Sequence, residues 1–254
     1  MSATEGEGTE LVQVILERDP RAPLVLTCEH ASEALPAGVS WPDEDSWLRG
    51  THWAFDLGAA HLTRELAREL GAGAVLAGFS RLFCDANRPL DSDTLVRKVA
   101  EGRTIAMNAN VDGAALDRRL VAWHAYHREL DALFAASAAP LALSLHSFTP
   151  LYEGTPRTVE VGVLFDREEA LAVELCARFK SAGFDTRLNE PYSGKEGLIY
   201  SVSSHASVSG RRALELELRQ DLAVEPGVRA KVVRVLAEFA RTAAADAARG
   251  VPTA

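Results

Sequence analysis

The stretch PLVLTCEHASEALP, residues 23–36, decides how the rest of the chain is read. Leu24-Val25-Leu26-Thr27 is a short apolar and β-branched run, the composition of a buried strand. It changes at once to Cys28-Glu29-His30, with Glu33 three residues on. A strand that ends in a thiol, carboxylates and an imidazole is delivering chemistry to the edge of a sheet.

Outward from this stretch, further strand-like runs occur at Ala74–Ala77, Leu141–Leu145, Glu160–Leu164 and Ala213–Leu218. Helical patterns lie between them. Asp56–Leu70 carries apolar residues at helical spacing and stops at Gly71. Ala114–Ala136 reads as a long amphipathic helix, Glu168–Ala182 as another before Gly183, and Gly227–Ala248 as an Ala-rich terminal helix. Strands alternating with helices predict an α/β fold, a three-layer α/β/α sandwich on a mixed, mostly parallel sheet. Residues 1–10 read as a disordered acidic tail and 11–254 as one domain. Sheets of this kind place their sites beyond the carboxyl ends of the strands.

Composition narrows the function classes. The 254 residues are 47% hydrophobic, enough for a sizeable core. The formal charge, 27 − 36 = −9, lacks the basic footprint of a nucleic-acid binder. Cys28, Cys84 and Cys176 are widely spaced and form no CxxC pair, which suits reduced buried thiols. No leader pattern and no apolar run of about 20 residues is present, so the expectation is a cytoplasmic protein with no membrane partner. No GxGxxG or GxxxxGK[ST] follows a strand, which argues against a nucleotide-binding domain.

The polar residues at strand ends form a set. His30 follows the first run, and His146-Ser147 follows the third. Glu215 and Glu217 share one face of the last strand, because strand side chains alternate. Ser80–Pro89, SRLFCDANRP, supplies Arg81, Asp85, Asn87 and Arg88. Two histidines, several carboxylates and an Arg/Asn cluster are the ingredients of a metallohydrolase. Catalytic zinc takes three ligands from His, Asp and Glu, and it lowers the pKa of water from ~15.7 toward ~7. A separate carboxylate then serves as general base. His124 and His127 read as surface residues of the long helix.

The motifs CEHAS, SRLFCDANRP and LHSFTP, in that order, with HWAFDLGA, YHRELDALF, NEPYSG and LELELRQDL, resemble the N-formylglutamate amidohydrolase family. That family is related to the zinc carboxypeptidases and succinylglutamate desuccinylase. The resemblance runs from about Leu24 to Leu222 and implies a phosphorylase/hydrolase-like fold. It implies His30 and His146 as metal ligands. For the third ligand Asp56 is favoured, with Glu33 and Glu29 as alternatives. It further implies Glu217 as general base, with Glu215 second. Asn87 and Arg88 would hold a substrate carboxylate and Arg81 a second one. Arg219, Tyr192 and Ser193 are further pocket residues, and His205 lies near the site without a role.

The implied reaction is zinc-dependent hydrolysis of a small N-acyl amino acid bearing a carboxylate, N-formyl-L-glutamate being the family's named substrate. Another divalent transition metal would suit the same ligands. The rival readings are hydrolysis of another N-acyl amino acid or small amide, and a metal-dependent ligand-binding protein without turnover. The loops Asp91–Arg103 and Leu151–Val159 are expected to shape the pocket. Oligomeric state is not written in the residues.

Overall fold

The computed structural model describes residues 11–249, so the tail expected at residues 1–10 lies outside the described residues. Seven strands form one sheet: β1 (Val12–Ile15), β2 (Leu24–Cys28), β3 (Ala74–Ala77), β4 (Leu141–Phe148), β5 (Val161–Leu164), β6 (Thr186–Leu188) and β7 (Arg212–Arg219). Their order is β1-β3-β2-β4-β7-β5-β6. The central strands β3, β2, β4 and β7 run parallel, β1 is antiparallel at one edge, and β5 is antiparallel to β7. The sheet is therefore mixed and mostly parallel.

Five main helices cover it: α1 (Ala59–Leu70), α2 (Gly113–Ala136), α3 (Glu169–Ser181), α4 (Tyr200–Ser209) and α5 (Pro226–Ala248). Helices α1, α3 and α5 share one apolar layer with Leu24, Leu26, Leu143, Leu145, Leu214 and Leu216 of the strands. Helices α2 and α4 pack on the other face, against Val25, Val75, Ala142 and Ala213. This gives three layers.

Local chemistry sets the ends of these helices. The Asp112 side chain accepts the Ala115 N–H at 2.7 Å and opens α2. Gly71, in the left-handed region at φ 63°, closes α1 with its N–H on the Ala67 carbonyl. Pro226 stands in the first turn of α5, where a missing N–H costs nothing.

Three expectations need correction. The Asp56–Leu70 helix begins at Ala59, because Asp56 and Leu57 are held in the preceding turn by bonds to both histidine segments. The third strand continues from Leu145 to Phe148, so His146 lies within a strand rather than after it. The edge strands β1 and β6 and helix α4 were missed. Each of the two strands has four residues or fewer and mixed exposure, and α4 is rich in serine, so neither pattern stands out.

Candidate metal centre and its cleft

The site is built on one face of the sheet. The pairing of β7 with β4 sets Glu217 beside His146 and Glu215 beside Ser144. The pairing of β2 with β4 sets Thr27 beside Ser144. Glu29, just past the end of β2, continues that polar row. This face looks toward α2 and α4, whereas the residues between, Leu145, Leu216 and Leu218, point into the apolar layer opposite. Period-two alternation thus separates a polar floor from a dry core within the same strands.

Strand β2 ends at Cys28, and His30 stands in the turn beyond it. Alternation alone would send Glu29 and His30 to opposite sides. The turn brings both to His146 instead: Glu29 Oε2 accepts from His146 Nε2 at 2.9 Å, and the two imidazole rings lie 4.7 Å apart. Cys28 stays in the apolar layer, and all three thiols are free and buried.

Asp56 is the meeting point. Its Oδ2 lies 2.7 Å from His146 Nδ1 and 3.3 Å from His30 Nδ1. Backbone bonds fix it from both sides. The Asp56 N–H donates to the His30 carbonyl at 2.9 Å, and the Ser147 N–H donates to Asp56 Oδ2 at 3.2 Å. Gly58 completes the turn at φ 83°, with no room for a side chain: a Cβ there would sit 2.4 Å from the Ala223 carbonyl oxygen.

His30, Asp56 and His146 each present one donor atom, and these lie within 4.8 Å of one another. The far nitrogen of each ring is backed by a carboxylate, His30 Nε2 by Asp85 at 2.7 Å and His146 Nε2 by Glu29. Such pairs orient metal-binding imidazoles and raise their basicity. Glu29 is in turn held by the Tyr126 hydroxyl at 2.9 Å and the Ser144 hydroxyl at 2.6 Å. The two alternative ligands make other contacts in this structure. Glu29 serves behind His146, and Glu33 accepts the Gly50 N–H at 2.5 Å.

The charges fit a cation. Five carboxylates, Glu29, Asp56, Asp85, Glu215 and Glu217, are at most 5% exposed. Among the described residues they are offset by the two histidines and by Arg81, which reaches Asp56 at 3.4 Å and Asp85 at 3.2 Å. Burial works against the charged forms of Asp56 and Glu29, yet the histidines hold both well below the usual carboxylate range. Burial likewise disfavours the His146 cation, but Glu215, Asp56 and Glu29 push its pKa well up.

Glu215 and Glu217 differ. Glu215 Oε2 accepts from Asn87 Nδ2 at 3.3 Å, and burial, with Glu29 close by, pushes its pKa to about 7. Glu217 Oε2 is buried with no hydrogen-bond partner among the described residues. Burial first, then Asp56 and Glu215, pushes its pKa well up.

These residues line a cleft of about 740 Å³, solvent mouth included. A family model for N-formylglutamate amidohydrolase matches residues 22–224. The chain belongs to the N-formylglutamate amidohydrolase family. Among solved structures, the gene product Atu2144 from Agrobacterium tumefaciens matches with a TM-score of 0.81 and 28% identity, over 96% of this chain and 97% of that one. The N-formylglutamate amidohydrolase from Ralstonia eutropha JMP134 matches with a TM-score of 0.67 and 20% identity, over 94% and 99%. No curated protein matches by sequence.

The expected pocket residues of this N-formylglutamate amidohydrolase family member fall into two groups. Arg81, Asn87, Arg88 and Tyr192 line the cleft. Arg81 pairs with Asp56 at 3.4 Å and Asp85 at 3.2 Å. Asn87 is engaged as well: its Nδ2 donates to the Leu198 carbonyl as well as to Glu215, and its Oδ1 accepts the Ser201 N–H. Arg88 has no carboxylate partner among the described residues and donates only to Thr94 Oγ1 and the Asn87 carbonyl. Arg219 and Ser193 are not part of the cleft wall. Arg219 ends β7 and turns to Asp221 at 2.8 Å and to the Thr158 carbonyl at 3.0 Å.

Helix α2 supports the site, a role the sequence leaves open for Tyr126-His127 between packing and support and does not suggest for Trp123. Trp123 Nε1 donates to the Arg88 carbonyl at 3.0 Å, Tyr126 to Glu29, and His127 Nε2 to the Ala86 carbonyl at 3.1 Å. The i, i+3, i+4 spacing that puts them on one helix face was the available signal. His127 is therefore buried rather than on the surface. Its Nδ1 lies 2.8 Å from His205 Nε2, and His205 Nδ1 lies 2.9 Å from Asp131.

No helix among the described residues is long and apolar enough to cross a membrane.

Proposed function

We propose that the protein hydrolyses N-formyl-L-glutamate to formate and L-glutamate, with a zinc ion held by His30, Asp56 and His146. The observation that carries this reading is Glu217. It is a buried carboxylate with an unpartnered oxygen, set by strand register beside a metal-ligating histidine. A pure binding protein has no use for a base in that position. Family membership supports the amide class, and the donor set of two nitrogens and one carboxylate suits zinc.

When bound, the metal supplies Lewis acidity, which brings the pKa of water toward ~7 and offsets charge on the carbonyl oxygen. The protein does the rest. Glu217 takes the proton from water at its free Oε2 and returns it to the departing amine nitrogen. Its raised pKa suits a group that must hold a proton between those events. Arg88 points a largely unengaged guanidinium into the cleft, where it pairs with the substrate α-carboxylate. Asn87 fixes Glu215 and the start of α4 rather than the substrate. Asp85 and Glu29 keep the two imidazoles turned toward Asp56.

The test is metal content and turnover of N-formyl-L-glutamate by wild type and Glu217→Gln. The expected result is about one zinc per chain in both, with kcat in the variant reduced about 10²–10⁴-fold. Metal-free protein after reconstitution with zinc, or a variant of unchanged kcat, would overturn the reading.

A further inference from the structure

The cleft has a second cationic wall that the reaction above does not use. Arg97 lines the cleft and is partly buried, yet among the described residues its guanidinium has no hydrogen bond and no ion pair. It lies over the Trp53 ring, 5.7 Å from the centroid. Trp53 and Tyr152 are neighbours, with ring centroids 6.2 Å apart. The Arg157 guanidinium is not itself in the cleft wall but packs on two residues that are, 4.6 Å from the Tyr152 ring and 5.0 Å from the Tyr192 ring. Among the described residues its sole side-chain hydrogen bond goes to the Tyr192 hydroxyl, at 3.1 Å. His52 lines the cleft against the same aromatic pair, 4.9 Å from Trp53, and its Nε2 is buried without a partner. Two arginines and an imidazole thus gather at one aromatic pair; Glu101 accepts from Trp53 Nε1 at 3.1 Å, but among the described residues neither arginine has an ion pair.

Their charges are felt. Burial lowers the pKa of Arg97, and Arg81 and Arg88 lower it further, outweighing Asp85. Burial lowers the pKa of His52 as well, and Arg81 and Arg157 add to this against Glu101 and Asp56. Partly buried cations without counter-ions are costly. A protein keeps such a cluster where a ligand supplies the missing charge, and rings that hold a guanidinium flat pre-orient it for bidentate pairing.

We propose that Arg97 and Arg157, with His52, form a carboxylate subsite that reads an acidic side chain on the substrate. The proposal rests on the amide-hydrolysis reading and assigns the second carboxylate away from Arg81. Arg88 then takes the α-carboxylate, and the aromatic pair Trp53/Tyr152 flanks the methylenes between the two. A neutral side chain leaves both arginines unbalanced, so the subsite selects for substrates with two carboxylates.

The experiment compares zinc-loaded wild type, Arg97→Met, Arg157→Met and Arg157→Lys on N-formyl-L-glutamate and N-formyl-L-glutamine. Alongside, calorimetric binding of glutarate, a dicarboxylate that needs no turnover, is measured on the same proteins. The expected result is a wild-type preference for the glutamate substrate of at least 10-fold in kcat/KM. Each Met variant loses most of that preference through KM, keeps its zinc, and stays within about 3-fold of wild type on the glutamine substrate. Glutarate binds each Met variant at least 10-fold more weakly, and Arg157→Lys falls between. An unchanged preference and unchanged glutarate affinity in both Met variants would overturn the proposal. If wild type turns over neither substrate, the hydrolysis reading fails by itself, and the glutarate arm still decides the subsite. Weaker binding in the Met variants upholds it, and equal or absent binding ends it.

Discussion

At the scale of single residues, the metal centre depends on carboxylates that would touch no metal. Asp85 and Glu29 each hold the far nitrogen of one histidine, and a carboxylate in that position typically accounts for 10–100-fold in metal affinity. Asp85→Asn is expected to weaken zinc binding by that factor, with the fold intact by circular dichroism. Competition against a chelator of known affinity measures it, and an unchanged affinity would show that the Asp85–His30 contact has no orienting role. Tyr126→Phe is a second residue-scale prediction. It strips one hydrogen bond from a buried carboxylate, Glu29, and is expected to cost about 1–3 kcal/mol in denaturant unfolding.

At the scale of elements, α2 works as a clamp. Trp123, Tyr126 and His127 occupy adjacent turns and hold two loop carbonyls and one carboxylate of the site. The turn at Gly58 is the matching device on the opposite side of the sheet. Gly58→Ala forces a Cβ toward the Ala223 carbonyl at a positive φ, and it is expected to lower both stability and zinc affinity by displacing Asp56. A thermal melt with and without zinc reads both effects. These elements also show what a sequence displays and what it conceals. The runs at Leu24, Ala74 and Leu141 were legible because buried parallel strands are continuous apolar stretches. His30 and His146 were legible because each comes after an apolar run, whereas Asp56 was reached only through the family resemblance. Arg81 meets Asp85 only four residues on, whereas the engaged state of Asn87 was not legible, since partners 111 and 128 residues away along the chain leave no local trace. The same holds for His127, whose partners come from α4 and from the Asp85–Arg88 turn.

For the whole molecule, acid stability is set in part by the His127–His205 pair. Burial first, then His205, pushes the His127 pKa from 6.5 to about 4, against the opposing pull of Glu29 and Asp131. The unfolded chain therefore binds a proton below about pH 6.5 that the folded chain refuses until about pH 4. Stability falls across that window as pH drops, by an amount on the order of 1–3 kcal/mol. Glu215, pushed up to about 7, contributes the opposite slope over part of the range, so the test is a difference. Wild type minus His127→Gln, followed by denaturant unfolding from pH 7 to 4, is expected to show this loss, and parallel curves would refute it. The cleft also has two origins in the chain. Its floor, with the metal ligands and Glu217, is carried by the central strands and the turns at their ends. The wall at Tyr152 hangs on the exposed hairpin Leu151–Tyr152/Thr155–Pro156, which Arg157 directly follows, and Arg97 stands on a separate surface segment. On the proposed reading, catalysis and choice of substrate are therefore inherited on separable pieces of sequence. A lineage can rewrite the hairpin, and with it the diet of the enzyme, while the floor stays as it is.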